Sequence, residues 1–334
     1  MQKIEGSFAA VSLIGDRGIL AFRDPVGLRP LILGERRNEF GEKEFAIASE
    51  SAVFGALGFK ILRDLKNGEA IFIDKNGEIF SEICAREKFR SCIFEFVYLA
   101  RPDSMIDGIS VHKARMRMGE KLAEKISQNL NSEKIDVVVP VPETSRVCAV
   151  EVAKILNVPF REGFVKNRYI GRTFIMPGQK IRQKSIRQKL SPIELEFKNK
   201  NVLLVDDSIV RGNTSKKIVE MVRECGARQV FFASAAPPII SPCVFGVDMP
   251  SAEEFVANGI DENQIAKLIG ADRIFYQNLD DLISAVRGKQ IDKNFCTACF
   301  DGKYPIEVSP ENFAKIKTAR REKKQEILEN FPLI

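Results

Sequence analysis

The run VLLVDDSIVRGNTS, from Val202 to Ser215, constrains this chain more than any other stretch. Val202 to Val205 is a short unbroken apolar run, the mark of a strand buried on both faces of a parallel sheet. It ends in two adjacent carboxylates, Asp206 and Asp207, and a short loop with Gly212 then opens a helix at Thr214. Ile218, Met221, Val222 and Cys225 give that helix one apolar face, and Gly226 stops it. The carboxyl end of such a strand is where open α/β sheets bind ligands. A loop feeding a helix start aims unpaired backbone N–H groups and the positive end of the dipole at one spot, so it suits a phosphate. Ser208, Thr214 and Ser215 add hydroxyl donors. The carboxylates suit a sugar diol or a hydrated Mg²⁺, so a phosphorylated ribose satisfies both halves. The bland alternative is a polar strand-to-helix turn with capping Asp and Ser residues. The nucleotide P-loop does not fit, because no glycine lies five residues before a Gly-Lys-Ser/Thr triplet.

The flanks agree with an α/β sheet. Val137 to Val141 reads as a second buried strand, Val147 to Leu156 as a helix and Val230 to Ala233 as a third strand. Ser251 with Glu254 reads as a capping box before EEFVAN, and Asp261 with Gln264 repeats it before IAKLIG; these helices end at Gly259 and Gly270. Residues 1 to about 90 differ. They read as short strands in SFAAVSLIG, GILAFRD, PLILGER and EFAIASE, then EAIFID and EIFSEIC joined through Lys75, Asn76 and Gly77. A chain of 334 residues has room for two cores. From Pro310 to Glu329 a charged helix is expected, with Arg320, Arg321, Lys323 and Lys324 on a solvated face.

No run approaches the roughly 18 apolar residues that span a bilayer, and the start lacks a basic flank before a secretory core. A cytoplasmic location is expected, with no membrane partner. Seven cysteines there argue against a disulfide framework. Cys296 and Cys299 form a CxxC, open to three readings: a redox pair, half a zinc site, or two iron–sulfur ligands. Cys84, Cys148 and Cys225 read as small core residues. The net charge of +6 is uneven: Arg161, Lys166, Arg168, Arg172, Lys180, Arg182, Lys184, Arg187 and Lys189 face one acid, Glu162, over their segment. A nucleic-acid patch, a solvated run and a loop closing over a polyanion compete there. Gly171, Pro177 and Gly178 break any helix, and Tyr169 and Phe174 are too few for base stacking, so the closing loop is favoured and no nucleic acid is expected.

VLLVDDSIVRGNTS resembles the phosphoribosylpyrophosphate motif of type I phosphoribosyltransferases, in the wording of the glutamine phosphoribosylpyrophosphate amidotransferases. Asn213 departs from the Thr usual there. The resemblance continues through FRDPVGLRPLILG, CIFEFVYLARPDS, VVPVPETS, KNRYIGRTFIMPGQ and FGVDMPS, in order over nearly the whole chain. It implies a type I phosphoribosyltransferase parallel sheet preceded by a β-rich partial Ntn-hydrolase (α+β) domain. The expected divisions are 1–90 for the latter half of the glutaminase domain, 91–290 for the transferase and 291–334 for a cluster-binding segment and helix.

Several site assignments follow from the resemblance. Glu143, Thr144 and Ser145 would meet the pyrophosphate and Mg²⁺, and Asp206 and Asp207 the ribose hydroxyls or the metal. Ser208, Ile209, Val210, Arg211, Gly212, Asn213, Thr214 and Ser215 would hold the 5-phosphate. Lys166 and Arg168, on the closing loop, would contact the pyrophosphate and serve catalysis. Cys92, Cys243, Cys296 and Cys299 stand where some members of the family bind a [4Fe–4S] cluster. A homo-oligomer and purine-nucleotide inhibition are further implications.

The expected reaction is attack of ammonia on the anomeric carbon of phosphoribosylpyrophosphate, giving 5-phosphoribosylamine, the first committed step of de novo purine synthesis. In the resembled family glutamine supplies the ammonia through an amino-terminal Cys, and this sequence begins Met1-Gln2. The chain alone is therefore expected to depend on ammonia, as a truncated sequence, half of a split enzyme or a free-ammonia enzyme; the first two are favoured because a half-domain leaves exposed edges. Arg23 and Asp24 then read as structural, and His112 as incidental. A non-catalytic phosphoribosylpyrophosphate or nucleotide-binding regulator is the rival from another class, and a base-accepting salvage transferase the rival enzyme.

Overall fold

In the computed structural model the described residues are 4, 6–130, 132–167, 186, 187, 189–316, 318 and 319. The N-terminal portion is a sandwich. A four-stranded antiparallel sheet runs, in spatial order, Ala9–Ile14, Gly18–Arg23, Glu69–Asp74, Ile79–Ile83. It faces a three-stranded sheet of Lys43–Ala48, Ile32–Arg37 and Lys60–Asp64. Alternation explains the packing, because Ala21, Leu33, Ile71 and Ile73 point between the sheets while their neighbours point away. The expected turn at Lys75 to Gly77 is present, with the Asp74 carboxylate accepting the Asn76 and Glu78 N–H groups at 2.9 and 2.8 Å. The strand Lys60–Asp64 and the short helix Ala52–Ala56 had no clear sequence signal; Ile61 and Leu62 are both exposed, so no alternation marks the strand.

The second body is a parallel sheet in the order Val137–Pro140, Asn201–Asp206, Gln229–Ser234, Arg273–Tyr276. The inner strand Asn201–Asp206 is apolar from Val202 to Val205 because both faces are covered. Leu203 and Val205 join the core beneath the helices Val111–Asn129 and Arg146–Leu156. Val202 and Leu204 join the opposite core with Ile218 and Val222 of the helix Asn213–Glu224. A Leu-to-Ala truncation at either central position would cost about 2–5 kcal/mol. Helices Glu262–Ile269 and Leu279–Arg287 complete the layers.

The Asp261 and Gln264 capping box forms, and Gly270 ends that helix in a left-handed conformation. The Ser251 and Glu254 box does not form. Only the 3-10 turn Ala252–Glu254 follows, and Ser251 makes no capping bond. The Glu254 carboxylate instead accepts from Arg211 Nε at 3.0 Å, so an ion pair between distant segments takes the side chain the box needed. Cys148 is buried and Cys225 packs at a core edge. Cys84 joins no core cluster, contrary to its sequence reading, because it lies just past the exposed strand Ile79–Ile83. Residues 310–316 are helical, and the basic run from Arg320 to Lys324 lies outside the described residues. No helix among the described residues is long and apolar enough to cross a membrane.

Candidate active site

Asp206 closes the strand Asn201–Asp206 and Asp207 follows it, which places both carboxylates at the carboxyl end of the parallel sheet. Both are buried. Asp206 accepts the Asp207 N–H at 2.9 Å, and Asp207 accepts the Ser208 hydroxyl at 2.7 Å and the Thr144 hydroxyl in a short bond. No Lys or Arg reaches either carboxylate at ion-pair distance among the described residues. Burial, then the charge of Asp207, pushes Asp206 well above the ordinary carboxylate range. Burial also raises Asp207, against the hydrogen bonds from Thr144 and Ser208 and the charge of Arg115.

Thr144 arrives from the loop between the strand Val137–Pro140 and the helix Arg146–Leu156, where the Pro142–Glu143 peptide bond is cis. Ser145 is buried at the helix start and donates to the Val141 carbonyl at 2.5 Å, so its hydroxyl braces the loop. Glu143 is exposed and pairs with Lys166 Nζ at 3.4 Å, from the strand Phe164–Lys166. Arg168, with Arg172, Lys180, Arg182 and Lys184, lies outside the described residues.

The loop Ser208 to Gly212 turns the chain into the helix Asn213–Glu224. Ile209 inserts its side chain into the core under the helix Asn213–Glu224 and Val210 packs against the core on the opposite face, so they can offer a ligand only backbone groups. Gly212 has φ +73°, and a Cβ there would stand 2.9 Å from Val256 Cγ2. A left-handed conformation is costly for other residues, so glycine sets how tightly the loop turns. Asn213 is exposed and Thr214 half-buried, whereas Ser215 is buried. The first N–H groups of this helix have no intrahelical acceptor and face the loop, the arrangement that favours an anion. Gly212→Ala is expected to lower phosphate-ligand affinity about tenfold and stability by about 1–3 kcal/mol. Titration calorimetry and urea unfolding check it, and an unchanged affinity would show that the turn is not needed.

The four cysteines of the sequence reading gather elsewhere. Cys92 and Cys296 are register partners in a two-residue parallel ladder, Ser91–Cys92 with Phe295–Cys296. Cys299 follows on the short helix Ala298–Asp301, and its carbonyl accepts the Ile240 and Ser241 N–H groups, drawing in the segment with Cys243. Cys92, Cys296 and Cys299 are buried. Burial raises all three thiols, Cys296 to about 11, and the charges of neighbouring cysteines add to it. Arg29 opposes the rise at Cys92. Among the described residues, no three His, Cys, Asp or Glu side chains are arranged as a ready metal site. A cleft of about 420 Å³ lies between the N-terminal sandwich and the turn Glu95–Leu99, with Arg29, Glu50 and Glu95 on its walls and neither Asp206 nor Asp207 among them.

Residues 106–239 match the family model described as phosphoribosyl transferase domain. An amidophosphoribosyltransferase of Pseudomonas aeruginosa is 54% identical over 320 residues, which cover 95% of this chain and 64% of that protein. The Escherichia coli amidophosphoribosyltransferase is 53% identical over 303 residues, 90% of this chain and 60% of its own length. This chain thus spans less than two thirds of these relatives. The solved glutamine phosphoribosylpyrophosphate amidotransferase of B. subtilis, complexed with ADP and GMP, superposes with a TM-score of 0.81 at 37% identity, covering 93% of this chain and 66% of that one.

Proposed function

The chain belongs to the amidophosphoribosyltransferase family, and from that premise we propose that it forms 5-phosphoribosylamine from phosphoribosylpyrophosphate and ammonia. The observation that carries this reading is the buried pair Asp206 and Asp207, bonded to Thr144 and followed by a glycine-turned loop at a helix start. Two buried acids without an ion-pair partner suit a ribose diol and a divalent cation, and the adjacent N–H groups suit the 5-phosphate. Mg²⁺ fits here because it would supply the counter-charge the pair lacks; Asp206, Asp207 and Thr144 would hold it, and it would neutralise the departing pyrophosphate.

In this reading the loop from Ser208 to Ser215 anchors the 5-phosphate while the acids orient the ribose hydroxyls. Ammonia then attacks the anomeric carbon, the bond to the pyrophosphate oxygen breaks and the nitrogen gives up a proton. Glu143 and Thr144 are assigned to the leaving group. Lys166 needs only to leave Glu143 to meet that charge, and Arg168 is assigned the same duty. Positioning and charge stabilisation, with water excluded, carry the rate.

The test is pyrophosphate release by the purified chain from phosphoribosylpyrophosphate and Mg²⁺, with ammonium chloride as nitrogen donor. Release that requires both Mg²⁺ and ammonium is expected. Binding of phosphoribosylpyrophosphate without release would favour a non-catalytic regulator. By extension from the B. subtilis relative, purine nucleotides such as ADP and GMP should slow release.

For the cysteines we propose a structural [4Fe–4S] cluster on Cys92, Cys243, Cys296 and Cys299, tying the C-terminal segment to the core. Four cysteines whose segments pack at neighbouring apolar cores, with the positive Arg29 near Cys92 and Cys243, supply the number and kind of donors such a cluster takes, and binding would draw the thiols into the ligating geometry they do not hold here. Anaerobic reconstitution should give close to four irons and four sulfides per chain with visible absorption. Zinc alone, or no metal, would overturn the assignment.

A further inference from the structure

Arg115 lies in the first turns of the helix Val111–Asn129 and is 2% exposed. Its Nε donates to the Phe96 carbonyl at 2.8 Å and its Nη2 to the Ala100 carbonyl at 2.9 Å. These carbonyls belong to the π-helical turn Glu95–Leu99 and the residue that caps it. No carboxylate stands at ion-pair distance from Arg115 among the described residues. A buried cation held only by neutral carbonyls is costly, and an apolar residue of similar volume would fill the space more cheaply.

The field around it points to what the charge does. Burial draws its pKa down, and the opposing charges are Asp207 first, then Glu50 and Cys148. Helix packing links the two elements. Four residues further along, Gly119 lets the helix lie so tightly against Arg146–Leu156 that a Cβ there would stand 2.4 Å from the Cys148 carbonyl. The loop that opens Arg146–Leu156 is the one whose Thr144 bonds Asp207. The helix carrying Arg115 packs, through Ala114 and Met118, on the face of the sheet that takes Leu203 and Val205, and the helix Asn213–Glu224 that follows the phosphate loop packs on the opposite face.

We propose that Arg115 is a positioning residue of the phosphoribosyl site: clamped by the Phe96 and Ala100 carbonyls, it supplies the fixed positive charge near Asp207 that keeps the acid pair set for the metal-bound ribose. The inference rests on reading Asp206 and Asp207 as the ribose and metal end of that site. It also gives the turn Glu95–Leu99 a purpose, since the Phe96 and Ala100 carbonyls it brings together are the two that hold the guanidinium.

The experiment measures Mg²⁺–phosphoribosylpyrophosphate binding by calorimetry, ammonium-dependent kinetics and thermal midpoint, for wild type, Arg115→Gln, Arg115→Met and Arg115→Lys. Gln and Met are expected to weaken binding and raise the KM for Mg²⁺–phosphoribosylpyrophosphate at least tenfold. Lys is expected to recover most of that loss, because it keeps the charge although it lacks the rigid planar fork that fits the two carbonyls. A Gln variant that binds as wild type does overturns the proposal. So does a Lys variant as weak as Gln and Met at an equal fall in thermal midpoint, since the role would then be packing alone. Should Gln and Met fail to fold, a Lys variant that binds within about threefold of wild type supports the proposal, and one at least about tenfold weaker overturns it. Absence of binding by the wild-type chain would instead overturn the phosphoribosyl reading itself, and this inference with it.

Discussion

Asp206→Asn is expected to lower ammonium-dependent pyrophosphate release by about 10²–10³-fold while leaving folding stability equal or raised by about 1 kcal/mol. The two effects separate because Asp206 does so little for the fold. Its carboxylate accepts one backbone N–H, from Asp207, and an Asn oxygen accepts the same bond. What the substitution removes is a charge that burial, and then the charge of Asp207, already disfavour. Because the folded-state pKa is raised, the folded protein holds its proton to higher pH than the unfolded chain does. Wild-type stability therefore falls as pH rises from the ordinary carboxylate range toward the raised value, and the Asn variant should lack that slope. The ligand pulls the other way, since a diol and a divalent cation both need the ionised form. Kinetics paired with thermal melts across pH check this. Activity within fivefold of wild type would sink the role given to the acid pair.

Arg23→Met should cost about 3–5 kcal/mol of stability, the scale of a buried ion pair broken on one side. Arg23 is 1% exposed and every branch of its guanidinium is used. It donates to the Arg29, Leu65 and Gly27 carbonyls at 2.7, 2.7 and 2.8 Å and to both Asp107 oxygens at 2.8 and 3.0 Å. Removing it strands the Asp107 charge, with Asp64 nearby already raised by burial and by Asp107. Asp107 sits in the turn between Met105–Ile106 and Ile109–Ser110, just ahead of the helix that carries Arg115, so the pair joins the N-terminal sandwich to the transferase core. Arg23→Met/Asp107→Asn should recover part of the loss by removing the stranded charge. Urea unfolding of the single and double variants measures both terms; a single-variant loss below 1 kcal/mol would show that water reaches Asp107.

Most of the sandwich strands and three strands of the parallel sheet were legible because each rests on a periodicity within a few residues, whereas Lys60–Asp64 and Arg273–Tyr276 were not read. Asp24 illustrates how far local reading goes. Its carboxylate collects the Val26, Gly27, Leu28 and Arg29 N–H groups, a loop anchor in keeping with the structural role read from the sequence. The Ser251 box failed where a remote partner, Arg211, competed for Glu254. Arg115 gave no signal at all, since a basic residue in an amphipathic helix reads as solvated.

By itself, the sequence determined the strand that ends in Asp206 and Asp207, the loop turned by Gly212 and the helix behind it, because apolar runs, turn residues and helix starts act over a single element. Tertiary structure decided which charges meet. Thr144 reaches Asp207 across 63 positions, Arg23 reaches Asp107 across 84, and Lys166 rests on Glu143. It also brought Cys92 beside Cys296 and Arg115 onto the Phe96 and Ala100 carbonyls. The physical reason is that an ion pair or a thiol group depends on where the packed layers bring two elements, and hydrophobic burial, which fixes those layers, is indifferent to which polar side chains it leaves face to face.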